Sequence, residues 1–114
     1  AIENDSQSPQ IVCCRNNGAI PTFDADASVE VTAIVGRDGA TAIPQEAPEP
    51  SIRGLMQVIK AYESLTVEAA VTGNRDVAFQ AMLEHPLMPD AKRARALLDE
   101  LLEINREHLQ GTFF

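Results

Sequence analysis

Between residues 44 and 50 the hydrophobic pattern of this chain changes period, and Pro44, Pro48 and Pro50 stand at the change. Before it, Val29, Val31, Ala33 and Val35 fall on one face of an extended segment, with Glu30 and Thr32 on the other; that two-residue period is the mark of a strand. After it, Ile52, Leu55, Met56, Ile59 and Tyr62 recur three and four residues apart, and Leu65, Ala69 and Ala70 extend the row, the spacing of one helix face. The prolines make the join a stiff, extended crossover. A chain that switches period once gathers its strands and its helices into separate blocks, which is the α+β class.

Within the first block, residues 11–14 (Ile11-Val12-Cys13-Cys14) form a short apolar strand that ends at the turn cluster Asn16-Asn17-Gly18. A loop through Pro21, Asp24 and Asp26 leads to a second strand at 29–35. Asp38-Gly39 is a preferred hairpin turn, and residues 40–43 pair back as a return strand. The expectation is a small antiparallel sheet.

Three helices follow, at 51–72, 74–84 and 90–109. Gly73 supplies the left-handed residue that closes the first, and Asn74 caps the second. The second carries Val77, Ala78, Ala81 and Met82 inward and stops near His85, because Pro86 disfavours helix in the residue before it. Asp90 caps the third, whose apolar row is Ala94, Leu97, Leu98, Leu101 and Leu102, with Arg95 and Asp99 paired four apart on its outer face. Residues 67–71 are apolar almost all round, which predicts burial of the second half of the long helix. At 114 residues the chain is read as one domain, 1–114, with aliphatic packing because aromatics are only 4%.

A formal charge of −8 argues against a nucleic-acid groove, which needs clustered Lys and Arg, and against an anionic membrane surface. No apolar run reaches the roughly 18 residues of a spanning helix, and the N-terminus lacks the basic and apolar regions of a signal peptide. The opening Ala1-Ile2-Glu3-Asn4-Asp5 reads as the middle of a longer chain. Cys13 and Cys14 are adjacent, and neighbours rarely reach disulfide geometry; no His or second Cys pair completes a metal set around them. Reduced strand cysteines in a cytoplasmic protein are the expectation.

The chemistry-bearing residues do not group. Neither Gly-x-Gly-x-x-Gly nor Gly-x-x-x-x-Gly-Lys is present, so the sequence offers no phosphate or dinucleotide cradle. His85 and His108 lie on different segments, and His85 precedes a proline as helix-end residues do. No Ser stands in a nucleophile-elbow context. Glu63 and Glu68 share a helix but not a face, and read as solvated carboxylates instead of an acid–base pair. Tyr62, the only tyrosine, reads as a buried ring with a hydrogen-bonded hydroxyl. Arg15, Arg37 and Arg53 could each meet a phosphate, yet nothing brings them together, and ion-paired or solvated guanidinium groups are expected.

The order of several short segments resembles the C-terminal part of the NAD- and metal-dependent glycoside hydrolases of family 4, and within them the 6-phospho-β-glucosidases. Asn16-Asn17-Gly18-Ala19-Ile20-Pro21 is similar to that family's Asn-x-Gly-x-Ile turn, and Val29-Glu30-Val31 with Arg37-Asp38-Gly39 to its Val-Glu-Val-Pro strand and hairpin. Gly54-Leu55-Met56, Lys60-Ala61-Tyr62-Glu63, Leu65-Thr66-Val67-Glu68-Ala69-Ala70 and Thr72-Gly73 carry the most weight. Leu87 after His85-Pro86, and Ala96-Leu97-Leu98-Asp99-Glu100, complete the order. Thr32 stands where the family usually has Pro, and Phe23 where it has Leu.

The resemblance implies an α+β domain of a small antiparallel sheet followed by three helices, like the C-terminal domain of lactate/malate dehydrogenase-like enzymes. It implies a cytoplasmic parent glycosidase that hydrolyses 6-phospho-β-glucosides by oxidation and elimination, with tightly held NAD and a divalent metal, manganese as a rule. The residues that carry out that chemistry precede the resembling region: the family's catalytic Tyr is not Tyr62, and Cys13 and Cys14 are not its metal motif. The chain is therefore expected to be a C-terminal piece whose NAD-binding domain lies upstream, with no catalytic, cofactor-binding or metal residue of its own. Its expected partners are that upstream portion and further copies of itself, with no nucleic acid and no membrane. A non-catalytic assembly module, an independent small acidic binding domain, the C-terminal domain of a lactate or malate dehydrogenase-type enzyme and an α-specific family member are the alternatives.

Overall fold

A computed structural model describes residues 1–109 and 113–114. Its contacts gather into two compact units, Ala1–Ser51 and Ile52–Phe114, each with a hydrophobic cluster of its own. Three strands come first and three helices follow, the α+β order expected from the single change of period.

In the first unit, β1 (Ser8–Arg15), β2 (Ser28–Gly36) and β3 (Gly39–Ala42) form an antiparallel sheet in the order β1-β2-β3. The register sets Val12 against Val31, Cys14 against Val29 and Ala33 against Ala42. The alternation in β2 does what its period requires: Val29, Val31, Ala33 and Val35 are buried while Glu30 and Thr32 stay in solvent. Ile20 joins Val29 and Val31 at the centre, with Cys14, Phe23 and Ala42 packed around them.

Two strand boundaries differ from the sequence reading. β1 begins at Ser8 and not near residue 11, because β2 is long enough to pair Ser8, Pro9 and Gln10 with Val35, Ile34 and Ala33. β1 is an edge of the sheet, where a proline without an N–H is tolerated. The hairpin turn is Arg37-Asp38, flanked by the pair Gly36–Gly39, and Gly39 takes φ +111 as the first residue of β3. The turn lies one position earlier than the Asp38-Gly39 reading placed it, and glycine is needed at the point where the strand leaves the turn with positive φ.

The N-terminal segment is pinned onto this hairpin. The Asp5 carboxylate accepts from Gln7 Nε2 at 2.7 Å and from the Arg37 backbone N–H at 2.8 Å. A Cβ on Gly36 would lie 2.0 Å from Gln7 Nε2, so only glycine admits that side chain.

In the second unit, α1 (Pro50–Thr72) starts on a proline, whose missing N–H is no loss in a first turn. It closes at Gly73, φ +66, whose N–H returns to the Ala69 carbonyl at 2.8 Å. Asn74 caps α2 (Arg75–Glu84), its side chain accepting from the N–H groups of Asp76 and Val77. His85, ahead of Pro86, is extended with ψ 125 and ends that helix. Asp90 caps α3 (Ala91–Ile104) by accepting from the Arg93 N–H at 2.8 Å. Leu98, Leu102 and Phe113 form the buried cluster, with Ala78, Phe79, Met82 and Leu109 against it.

Here too the structure corrects the reading. α3 ends at Ile104 and not near 109; Asn105, out of the helical region at ψ 10, gives both its backbone N–H (3.1 Å) and its side-chain amide (2.8 Å) to the Leu101 carbonyl and caps the helix there. A single 3₁₀ turn, Arg106–His108, follows. Arg95 and Asp99 do not pair: the Arg95 guanidinium lies 3.8 Å over the Phe79 ring, and Asp99 receives Arg75 Nη2 at 2.5 Å. The buried row of α3 is the narrower Ala94, Leu98, Leu102, with Leu97 and Leu101 both 41% exposed.

The expected burial of residues 67–71 also fails. Ala69 is the one buried residue of α1, while Val67 is 63% and Val71 81% exposed. The helix packing of this unit is between α2 and α3, and α1, 23 residues and about 34 Å long at 1.5 Å per residue, outreaches both, which at 10 and 14 residues reach about 15 and 21 Å. Neither can line it from end to end.

Candidate functional site

The best-organised polar centre is Asn16, the only polar or charged side chain in the buried class among the described residues, 1% exposed. It sits where β1 ends and the backbone turns. Its Oδ1 accepts the Ile20 N–H at 2.7 Å, and its Nδ2 lies 2.9–3.1 Å from the carbonyls of Ile20, Phe23 and Asp24. Its own N–H donates to the Ala27 carbonyl at 2.8 Å, and Asn17 N–H to Ala25 at 2.9 Å. One amide thus closes the whole 16–27 loop, and the turn it drives puts Asn17 at φ +43 and Gly18 at φ +87. The sequence marks Asn16-Asn17-Gly18 as a turn; that the first Asn is its buried tie was not read. An asparagine directly after an apolar strand is a weak signal for it, since a buried Asn must find partners for both ends of its amide.

A hollow of about 400 Å³ opens beside this turn, between Cys14, Asn17, Gly18 and the β3 residues Thr41 and Ala42. Arg15 borders it, but its guanidinium is ion-paired with Asp26 at the surface. Small apolar groups and backbone make up much of the wall.

The other residues weighed from the sequence lie apart. Cys13 is exposed, with Sγ 3.8 Å from the carboxylate of Glu30, its cross-strand partner. Cys14 faces the opposite side of β1, against the valine cluster. Successive strand residues point to opposite faces, so the two thiols cannot meet; both are free. Tyr62 is half-buried, with its ring edge-on to His85 at 4.8 Å. His85 Nδ1 accepts the Leu87 N–H at 3.2 Å, so it shapes the turn after α2. His108 lies 3.4 Å from Glu107 in solvent.

Glu63 is ion-paired with Lys60, and the Glu68 carbonyl accepts the Thr72 hydroxyl at 2.7 Å. Arg37 contributes its backbone N–H to Asp5. That bond, and then the one from Gln7, holds the Asp5 carboxyl below its ordinary value; the bond and charge of Arg106 do the same for Glu103. Both carboxyls are at the surface, Asp5 in the N-terminal segment and Glu103 in the last turn of α3.

Among the described residues there is no group of three or more His, Cys, Asp or Glu side chains able to hold a metal ion. The glycines with positive φ, Gly18, Gly39 and Gly73, are a strand-end turn, a hairpin and a helix stop, not a glycine-rich loop leading from a strand into a helix. These residues do not fit a divalent metal or a dinucleotide. No described helix is long and apolar enough to cross a membrane.

Residues 1–88 match the family model described as the family 4 glycosyl hydrolase C-terminal domain. The chain is 39% identical over 113 residues to a probable 6-phospho-beta-glucosidase of Bacillus subtilis (strain 168), covering 99% of this chain and 26% of the relative. It superimposes with a TM-score of 0.91 at 30% identity on a 6-phospho-alpha-glucosidase from gut microorganisms solved with NAD and glucose-6-phosphate, over 96% of this chain and 25% of that one. A 6-phospho-beta glucosidase from Thermotoga maritima, solved with manganese, NAD+ and glucose-6-phosphate, gives 0.85 at 33% identity, over 95% and 26%. The chain thus spans about a quarter of the length of the proteins it matches. β- and α-type phosphoglucosidases both stand among them. By the match of residues 1–88, by identity and by superposition, this chain belongs to the family 4 glycosyl hydrolases through their C-terminal domain.

Proposed function

We propose that this chain, residues 1–114 taken as one domain, is the C-terminal structural part of a cytoplasmic 6-phospho-β-glucosidase. The parent would cleave 6-phospho-β-glucosides by the NAD- and metal-dependent oxidation and elimination of its family. The observation that carries the reading is the 39% identity to a probable 6-phospho-beta-glucosidase over 113 residues, against 37% over 107 residues to a 6-phospho-alpha-glucosidase. NAD and manganese, held in the Thermotoga maritima structure, would be bound by the portion that this chain does not span. When bound, NAD supplies the hydride acceptor and the metal a Lewis acid. No step of that chemistry is assigned to a residue here. The contribution of this domain is shape: a sheet tied by Asn16, and a long helix whose sides offer apolar surface.

The exposure of Val67 and Val71, with that of Ile52 and Leu55 at 51% and 58%, supports two partners for that helix: the upstream NAD-binding portion and a second copy of the enzyme. Apolar patches of this kind are covered in stable assemblies. An α-specific parent is the second reading, favoured by the TM-score of 0.91 to the α-glucosidase.

Assay of the full-length gene product on cellobiose 6-phosphate and maltose 6'-phosphate, with NAD and manganese, separates these. Hydrolysis of the β-linked substrate alone supports the proposal; of the α-linked alone overturns its anomeric part; of neither, by an enzyme that binds NAD, overturns the glycosidase reading. For the 114-residue chain by itself, calorimetric titration with NAD and with manganese is expected to give no saturable binding. A micromolar affinity for either would place a site in this domain and refute its silent role.

A further inference from the structure

We draw no further inference here: the strongest candidate, the hollow of about 400 Å³ between the Asn17-Gly18 turn and β3, carries nothing because its one buried polar side chain, Asn16, is fully engaged by the backbone of its own loop and nothing in the structure shows what would fill it.

Discussion

Replacing Asn16 with alanine tests the architecture of the sheet unit at its most committed point. The side chain is 1% exposed and serves four backbone groups. Truncation leaves the Ile20 N–H and Ile20 carbonyl buried without that partner, while the carbonyls of Phe23 and Asp24 are partly exposed and can turn to water. A buried polar group left unmet costs about 1–3 kcal/mol, so two of them, less what relaxation recovers, give about 2–4 kcal/mol for Asn16→Ala. Since 1.4 kcal/mol is a factor of ten in an equilibrium, hydrogen-exchange protection at Val29, Val31 and Ala33 should fall by about 30- to 700-fold. Asn16→Asp keeps the acceptor for Ile20 N–H but sets a carboxylate against three carbonyl oxygens, so it should cost at least as much. Asn17→Gly is the control: Asn17 is exposed at φ +43, where glycine is at ease, and the change should stay within about 0.5 kcal/mol. Protection after Asn16→Ala within threefold of the parent chain would mean that the backbone bonds to Ala25 and Ala27 hold the loop without the side chain.

Gly36→Ala should expel Gln7 and free Asp5, so the Asp5 pKa, held below its ordinary value in the folded chain, should rise toward that value in an NMR titration. Because that pKa is depressed, the stabilisation it reports is present above the unfolded-state value and is lost as pH falls through the folded one, in the acid range below about 4; the variant should lose less stability than the parent chain over that range. Asn74→Ala and Asp90→Ala each remove a helix cap and should lower stability by about 0.5–2 kcal/mol in urea denaturation, with the conservative Asn74→Ser and Asp90→Ser restoring most of it; equal loss in Ala and Ser variants would refute the capping role. Val67→Lys with Val71→Lys should leave the fold of the isolated chain intact by circular dichroism and abolish concentration-dependent self-association in light scattering; a chain that is monomeric at every concentration before the change would refute association through this face.

The parts of the fold legible in the sequence are those that local chemistry decides. A strict two-residue period buries Val29, Val31, Ala33 and Val35 because one-residue slippage would expose all four, and the structure leaves them at 0–8%. Helix ends at Gly73, Asn74, His85 and Asp90 follow from φ preferences and from side chains that reach their own backbone, so they too were readable. What was not readable depends on partners distant in sequence. Arg95 and Asp99 have the spacing for a pair, but a guanidinium gains more over the Phe79 ring, and Asp99 finds Arg75, 24 residues away. The reach of β1 back to Ser8 is set by the length of β2, which the sequence around Ser8 does not contain. For the site, the sequence showed each candidate residue to be unaccompanied. It could not show that Asn16 is the buried centre, because a turn signal is the same whether its first residue faces water or the core.

With successive residues 100° apart, Leu55 and Val71 lie about 160° apart around the axis of α1, and both are more than half exposed. A single flat neighbour cannot cover both. Tyr62, Leu65 and Ala69, about 20–80° round from Leu55, are the more sheltered residues, so shelter follows one side of the helix and Val71 lies far round from it. Residues 67–71, apolar almost all round, have the pattern of a segment buried in a larger body. The sequence expectation of a buried second half is therefore wrong for these 114 residues taken alone, yet its physical premise stands. Apolar residues placed all round a helix answer to surfaces on more than one side. Among the described residues the longest element is thus the one with the most apolar surface left open, and the one buried polar side chain, Asn16, is spent on closing a loop.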